Sequence, residues 1–411
     1  MSDHIVIIGA GQGGLAAAEA LRSEGYVGAI TLLGDETELP YNRPPLSKAY
    51  LLGDASEAQL FIRGPEVLAR KNIAMRTGCA VAAIDRAAHQ VRLANGETLS
   101  YSKLIIATGA RSRPLPLPGA DMAGVHTLRN LHDARSIAAE LAAVKRIVVI
   151  GGGFIGLEFA AVARKLGKEV TVIEAAERLM PRVLAPFLSD FFLQLHREHG
   201  AEVILGSQVA GLVGDKGKVT AVTTADGRSH AADLVLVGIG AIVNDALAAE
   251  CGLECANGIV VDDCSRTSDA DIFAVGDCTI RRDGANGWLR LESVQNAVEQ
   301  GKSAAAAIVG KVRPFVASPW FWSDQYEVKL QMVGRTAGYD QIILRGQTTD
   351  KNFSAYYFQA GRLLAIDTVN RPQEHMLGRR LLDSGKLPTP AQVEDTGFAL
   401  DTLLAQATAN A

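Results

Sequence analysis

The sequence has little of three things, and each shortage excludes something. It holds only five cysteines in 411 residues (Cys79, Cys251, Cys255, Cys264 and Cys278), and no two stand in CxxC spacing. An odd count without paired spacing argues against a disulfide scaffold, a zinc site and a dithiol redox centre. The expectation is reduced, mostly packed thiols in a cytoplasmic protein, with no metal. Long apolar runs are missing too. None reaches the ~18 residues that span a bilayer. The nearest, Ile147 to Ala163, is interrupted by four glycines and Glu158. The N-terminus enters an apolar strand pattern within four residues, with neither a basic stretch nor a cleavage site, so no signal peptide is expected. The third shortage is of basic excess. Lys and Arg number 41 against 45 Asp and Glu, a net charge of -4, with a pI near 6.1. That argues against broad nucleic-acid binding and leaves room only for a local basic patch.

What the chain has in surplus is glycine: 41 residues, one in ten against a usual ~7%. Glycine costs stability unless its backbone freedom is used. Part of the surplus falls in a repeat. Residues 4–35 (HIVIIGAGQGGLAAAEALRSEGYVGAITLLGD) and 146–174 (RIVVIGGGFIGLEFAAVARKLGKEVTVIE) both run apolar strand, glycine turn, amphipathic helix, apolar strand. Their offset of 142 residues, Gly9 to Gly151, is too long for a solenoid and fits two similar domains, each opening with a βαβ unit. Three further segments, LIIATG (104–109), DLVLVGIG (233–240) and DIFAVGD (271–277), read as buried strands ending at a glycine. A Pro- and Gly-rich stretch, Arg113 to Gly124, reads as a domain crossover. From Pro319 aromatics cluster in alternating segments, which predicts an α+β domain. The expected division is residues 1–113 with 242–318, then 114–241, then 319–411.

The glycine turns carry chemistry. Gly9-Ala10-Gly11-Gln12-Gly13-Gly14 is a GxGxxG that follows a strand and opens a helix. Gly9 permits the tight turn, Gly11 lets the backbone approach a pyrophosphate, and Gly14 lets helix and strand pack closely. Free helix N–H groups then face the phosphates. A carboxylate for the ribose hydroxyls is needed after the next strand, where Asp35 and Glu36 stand, 21 and 22 residues beyond Gly14. Gly151 to Gly156 repeats the logic with Gly153 in the middle, and its second strand ends in Glu174. A carboxylate there accepts from ribose hydroxyls and repels a 2′-phosphate, which favours NAD(H) over NADP(H); Arg178 and Arg182 are nearby basic residues that weigh the other way. Two such folds suggest two dinucleotides, FAD with a nicotinamide cofactor being the economical pair. In TSDADIFAVGDC (267–278), Asp277 stands just past a strand and reads equally as a ribityl ligand or a helix N-cap.

At this point whole segments match a known family. GAGQGG, RPPLSK (43–48), ATGARSRPLPLPG (107–119), GGGFIGLEFA, VGIGA, TSDADIFAVGDC, RLESVQNA (290–297) and PWFWSDQYEVKLQ (319–331) fall in order over nearly the whole chain. Together they resemble the FAD-containing, NADH-dependent ferredoxin reductases of the putidaredoxin reductase and aromatic-ring dioxygenase type. The resemblance implies an α/β chain with two Rossmann-like, glutathione-reductase-like domains and a C-terminal α+β domain. It implies FAD contacts from Gly9, Gly11, Gly14, Asp35, Arg43, Lys48, Thr108, Arg111, Asp277, Glu292, Val294 and Trp320. It implies NADH contacts from Gly151, Gly153, Ile155, Gly156, Glu158, Glu174, Gly238 and Gly240. Lys48 and Glu158 would be the catalytic residues: Lys48 near the flavin as a cation, Glu158 paired with it or holding the nicotinamide carboxamide. Hydride would pass from NADH to the flavin, then electrons singly to a [2Fe–2S] ferredoxin serving a cytochrome P450 or a Rieske-type oxygenase. The chain departs from the family at Asn42, where Asp is frequent, and at Val243 before Asn244, where Pro is frequent; both bear on loop positioning.

Three alternatives stay open. An NADH oxidase or peroxidase of this superfold uses a cysteine in the region of Lys48, and residues 36–60 have none. An apoptosis-inducing-factor-like redox scaffold is disfavoured by the acidic pI and the lack of long basic runs. A rubredoxin reductase is the nearer rival. A basic patch would steer an acidic ferredoxin, with Arg290, Lys329, Arg371, Arg379 and Arg380 as candidates.

Overall fold

The computed structural model describes residues 3–283 and 287–405. The chain forms two compact units. The first takes the chain up to Asn42, then Glu57–Arg111 and Ala241–Ala317; the second takes Arg43–Ser56, Ser112–Gly240 and the chain from Ser318 onward.

The first unit is organised by a five-stranded sheet in the order Ile272–Ala274, Lys103–Ile106, His4–Ile8, Ala29–Leu33 and Ile73–Arg76, every pairing parallel. A parallel sheet needs cover on both faces, and its strands read as continuous apolar runs for that reason. Side chains alternate between the faces. Ile5 and Ile7 pack with Leu15, Leu21 and Ala304, while Val6 and Ile8 pack with Val91, Leu104 and Ile106. The helices Gln12–Ser23 and Val294–Ile308 lie against each other on the first of these faces. An antiparallel meander, Val81–Asp85, Gln90–Leu93 and Thr98–Ser100, supplies the other.

The second unit repeats the design. Its parallel sheet runs Glu202–Ile204, Glu169–Ile173, Arg146–Ile150, Leu234–Val237 and Val125–His126. A meander of Val209–Asp215, Lys218–Thr224 and Ser229–Ala231 again covers one face. The three segments read as glycine-ended strands are strands in both sheets. The aromatic segment forms a five-stranded antiparallel sheet in the order Trp320–Gln325, Val328–Gly334, Arg362–Val369, Asn352–Gln359 and Gln341–Gln347, backed by the helix Pro372–Ser384. The architecture is thus α/β with two Rossmann-like sheets and a C-terminal α+β element. No helix among the described residues is long and apolar enough to cross a membrane. All five cysteines are free.

Candidate functional site

The two glycine turns are near copies. Gly9 and Gly151 both have φ of +106°, and each donates its N–H to the end of the next strand, Leu33 O and Ile173 O, at 2.8 Å. A side chain at Gly9 would strike Ala107 O at 2.2 Å, and one at Gly151 would strike Gly238 O at 2.5 Å. At the third glycine the helix closes on its own turn: a Cβ on Gly14 would lie 1.9 Å from Gly9 O, and one on Gly156 2.4 Å from Gly151 O. The middle glycines differ in kind. A Cβ at Gly11 or Gly153 would meet nothing within 4 Å, so protein packing does not demand glycine there. Both serve as the N-cap of the helix that follows and provide no side-chain cap. Elsewhere Asn130 and Ser293 cap their helices with side chains. Uncapped N–H groups facing open space are what an anionic pyrophosphate requires. Both cradles therefore fit a dinucleotide.

The ribose-side carboxylates stand in different registers. Ile8 pairs with Leu33 and Ile150 with Ile173, so the counterpart of Glu174 is Gly34, and Asp35 comes one residue later. Neighbours explain the shift. A Cβ on Gly34 would lie 2.9 Å from the Ala10 methyl, whereas Gly152, the counterpart of Ala10, leaves room for Glu174. Glu174 is pinned: its Oε2 accepts from Gly152 N–H at 2.5 Å and its Oε1 from Ala176 N–H at 2.8 Å. Asp35 is exposed and accepts from Glu36 N–H at 3.1 Å. Arg178 is committed to its own loop, donating to Leu184 O, Ser189 Oγ and Pro181 O. Arg182 is exposed.

In the first unit the remaining flavin candidates gather at the ends of the parallel strands. Asn244, which follows the departure at Val243, ties two of them together. Thr108 Oγ1 donates to Asn244 O at 2.6 Å, Asn244 Nδ2 donates to Thr108 O at 2.9 Å, and Arg111 Nη1 donates to Asn244 Oδ1 at 2.7 Å. Asp277 follows the strand Ile272–Ala274, as expected. Just before it, Gly276 N–H is held by Gln300 Oε1 at 2.7 Å. Glu292 pairs with Arg290 at 2.8 Å, and Val294 opens the helix that Ser293 caps.

In the second unit Lys48 and Glu158 are paired at 2.6 Å. Glu158 lies on the helix Phe154–Lys165 and is 4% exposed. Its Oε2 also accepts from Ser47 Oγ at 2.6 Å, and its Oε1 from Ser323 Oγ at 2.7 Å. Burial pushes the carboxyl pKa up, and Lys48 and the two hydroxyls pull against that shift. Three converging donors make this a carboxylate site, since an ionised carboxylate only accepts. Lys48 also donates to Pro44 O at 3.2 Å, and Arg43 donates to Arg129 O at 3.0 Å. Trp320 packs beside His375 at a 5.9 Å ring separation, with the Arg379 guanidinium 4.7 Å over its ring. Ile155 is 42% exposed at the mouth of the second cradle. Gly238 N–H bonds Ile150 O, and Gly240 O accepts from Arg113 N–H. Of the candidate docking cations, Arg371 is engaged with Glu374 at 2.6 Å and Lys329 stands 3.8 Å from Asp324.

Ser47, Ser323 and Asn244 were absent from the sequence-based site. Ser47 and Ser323 had a signal only in lying inside RPPLSK and PWFWSDQYEVKLQ, and Asn244 only in following Val243. Ser323 is 165 residues from the carboxylate it serves.

Residues 3–301 match the model of the pyridine nucleotide-disulphide oxidoreductase family, and residues 320–404 that of the reductase C-terminal domain. The chain is 46% identical to rhodocoxin reductase of Rhodococcus erythropolis, over 98% of this chain and 94% of that one. It is 38% identical to rubredoxin-NAD(+) reductase of Pseudomonas putida, over 90% and 96%. Among solved structures it is similar to putidaredoxin reductase in its covalent complex with putidaredoxin, with a TM-score of 0.95, 44% identity and 99% coverage of both chains. With matches of this extent, the chain belongs to the pyridine nucleotide-disulphide oxidoreductase family and carries the reductase C-terminal domain.

Proposed function

We propose that the chain is an NADH-dependent flavoprotein that reduces a [2Fe–2S] ferredoxin, which in turn supplies a cytochrome P450 or a Rieske-type oxygenase. One observation carries this reading: two dinucleotide cradles of one design occur in a chain with no CxxC dithiol, so the electrons have no disulfide to enter. FAD, when bound, supplies the conversion of a two-electron hydride donor into single electrons. The balance is one NADH and two oxidised ferredoxins giving NAD+, two reduced ferredoxins and one proton.

In this proposal residues 1–113 with 242–318 bind FAD, 114–241 bind NADH, and 319–411 form the C-terminal domain. Gly9, Gly11, Gly14, Asp35, Thr108, Arg111, Asp277, Glu292 and Val294 hold FAD, together with Arg43, Lys48 and Trp320. Gly151, Gly153, Ile155, Gly156, Glu174, Gly238 and Gly240 hold NADH. Glu158 fixes Lys48 as a cation at the reaction site, a preorganised charge that costs no reorganisation during the reaction. The pinned Glu174 carboxylate disfavours the 2′-phosphate of NADPH. Five free cysteines support a cytoplasmic setting.

A rubredoxin acceptor is the second reading, favoured by the 38% identical relative of that activity. Steady-state NADH oxidation by the purified holoprotein separates the readings. The proposal expects turnover with a [2Fe–2S] ferredoxin to exceed that with rubredoxin, and both to exceed turnover with oxygen alone. Faster turnover with rubredoxin, or peroxide production that needs no carrier, contradicts it.

A further inference from the structure

Glu158 is the end of a longer hydrogen-bonded chain that its chemistry does not require. Ser323 Oγ donates to Glu158 Oε1 at 2.7 Å, and Gln325 Nε2 donates to Ser323 Oγ at 3.1 Å. His196 Nε2 lies 2.9 Å from Gln325 Oε1, and the Tyr326 hydroxyl lies 3.3 Å from His196 Nδ1. Ser323, Gln325 and His196 are fully buried, so each contact satisfies a group that has no water to turn to.

The chain has one possible direction. A carboxylate accepts, so Ser323 spends its proton on Glu158 and its oxygen accepts from the Gln325 amide N–H. The amide oxygen is then left as an acceptor, so His196 carries its proton on Nε2. That leaves Nδ1 to accept from the phenol. The end groups keep this polarity near neutral pH. Burial lowers the His196 pKa to about 4 and raises that of Tyr326, so the imidazole stays neutral and the phenol stays protonated. Tyr326 is itself held in place. It sits at φ +55° in the turn between the strands Trp320–Gln325 and Val328–Gly334, with its ring stacked on His199 at 3.8 Å. His196 lies on the helix Pro186–Glu198. Four donors in series, drawn from a helix and a hairpin far apart in sequence, thus all point toward one carboxylate.

We propose that His196 and Gln325 are positioning residues, which act through Ser323 to hold the Glu158 carboxylate ionised and in a single orientation for reduction by NADH. This inference rests on the NADH-dependent reading above. A carboxylate held by donors on both oxygens resists rotation away from Lys48, and a proton on its Oε1 facing Ser323 would collide with the Ser323 hydroxyl proton. Breaking the chain at any link frees Ser323 to turn.

Variants of the holoprotein test this by anaerobic rapid mixing, which follows loss of flavin absorbance at saturating NADH. Reoxidation of the prereduced protein by ferricyanide serves as the half-reaction without NADH. Gln325→Leu removes both amide links, His196→Phe removes the outer donor, and His196→Gln restores an N–H at that place. Each of Gln325→Leu and His196→Phe is expected to slow reduction roughly tenfold, the scale of one hydrogen bond to a charged group. The double variant should be no slower than the singles, since the residues act in series. His196→Gln should recover to within about threefold of the parent, and ferricyanide reoxidation should be unchanged throughout. The proposal is overturned if either disrupting variant reduces within about twofold of the parent, if the two losses multiply, or if both half-reactions slow together. If Gln325→Leu does not fold, Ser323→Ala takes its place in the same cycle with His196. Failure of the underlying reading looks different, because the parent protein itself would then not be bleached by NADH.

Discussion

The two cradles share a backbone and differ in what their helices face. Taking Gly9 and Gly151 as equivalent, Gly13 corresponds to Ile155 and Ala16 to Glu158. In the first unit this helix face is made of small residues, and the helix Val294–Ile308 packs directly on it. A Cβ on Gly301 would lie 2.9 Å from both Gly13 O and Ala17 N, and one on Gly13 would lie 3.2 Å from Val275. In the second unit the same face presents an exposed isoleucine and a buried carboxylate. One cradle is closed behind by a helix and suits a cofactor that stays. In the proposed reading, the other keeps its face for side chains that meet a cofactor which comes and goes. Sequence similarity between the two turns reports the pyrophosphate site they share; these facing positions report their different tasks.

Exchanging residues between the cradles tests that contrast. Gly13→Ile puts the second cradle's residue into the first and is expected to have the largest effect. The Cβ alone would lie 3.2 Å from Val275 and 3.6 Å from the Ala297 methyl, so the rest of the isoleucine overpacks this face at a cost of about 1–3 kcal/mol or more, and the purified protein should be colourless or unfolded. Retained flavin absorbance and an unchanged melting temperature would break the contrast. Glu158→Ala, the reverse exchange, leaves Lys48 without its partner. Because Lys48 keeps 17% exposure, the loss should fall to about 2–3 kcal/mol, below the full value for a buried unpaired charge. Denaturant unfolding checks the stability, and bleaching by NADH should slow at least about tenfold.

Glu174→Ala removes the pinned carboxylate. The ratio of kcat/KM for NADH over NADPH should fall about tenfold, equivalent to one charge-assisted contact; an unchanged ratio would place the discrimination elsewhere. Ile155→Gly gives the second cradle the first cradle's residue. With its side chain already at the surface, Tm should change by no more than about 2 °C, and KM for NADH should rise by no more than about threefold. A large stability loss would mean that the second helix face is as tightly covered as the first.

Features local in sequence were legible before the structure. The turns at Gly9–Gly14 and Gly151–Gly156, the glycine-ended strands and Asp277 depend on residues within about 30 positions of one another, where spacing maps onto geometry. Lys48 as a partner of Glu158 came from the family resemblance and is found; the two serine partners were not foreseen. Ser323 lies 165 residues away, and His196 meets Gln325 across 129. A buried serine or glutamine gives no periodic signal in a strand such as WFWSDQ. The register of Glu174 against Gly34 was also hidden, because it depends on whether Ala10 or Gly152 faces the strand end. The candidate docking cations Arg371 and Lys329 have carboxylates close by, so counting basic residues overstates the charge free to steer a partner.

Anaerobic titration of the purified yellow protein with NADH tests whether this chain moves electrons from NADH through a flavin without a dithiol. One equivalent of NADH should bleach the bound flavin completely, NADPH should do so far more slowly, and blocking the partly exposed thiols of Cys79, Cys251 and Cys255 beforehand should change neither the endpoint nor the stoichiometry. A second equivalent consumed per flavin, or loss of bleaching after the thiols are blocked, would contradict it.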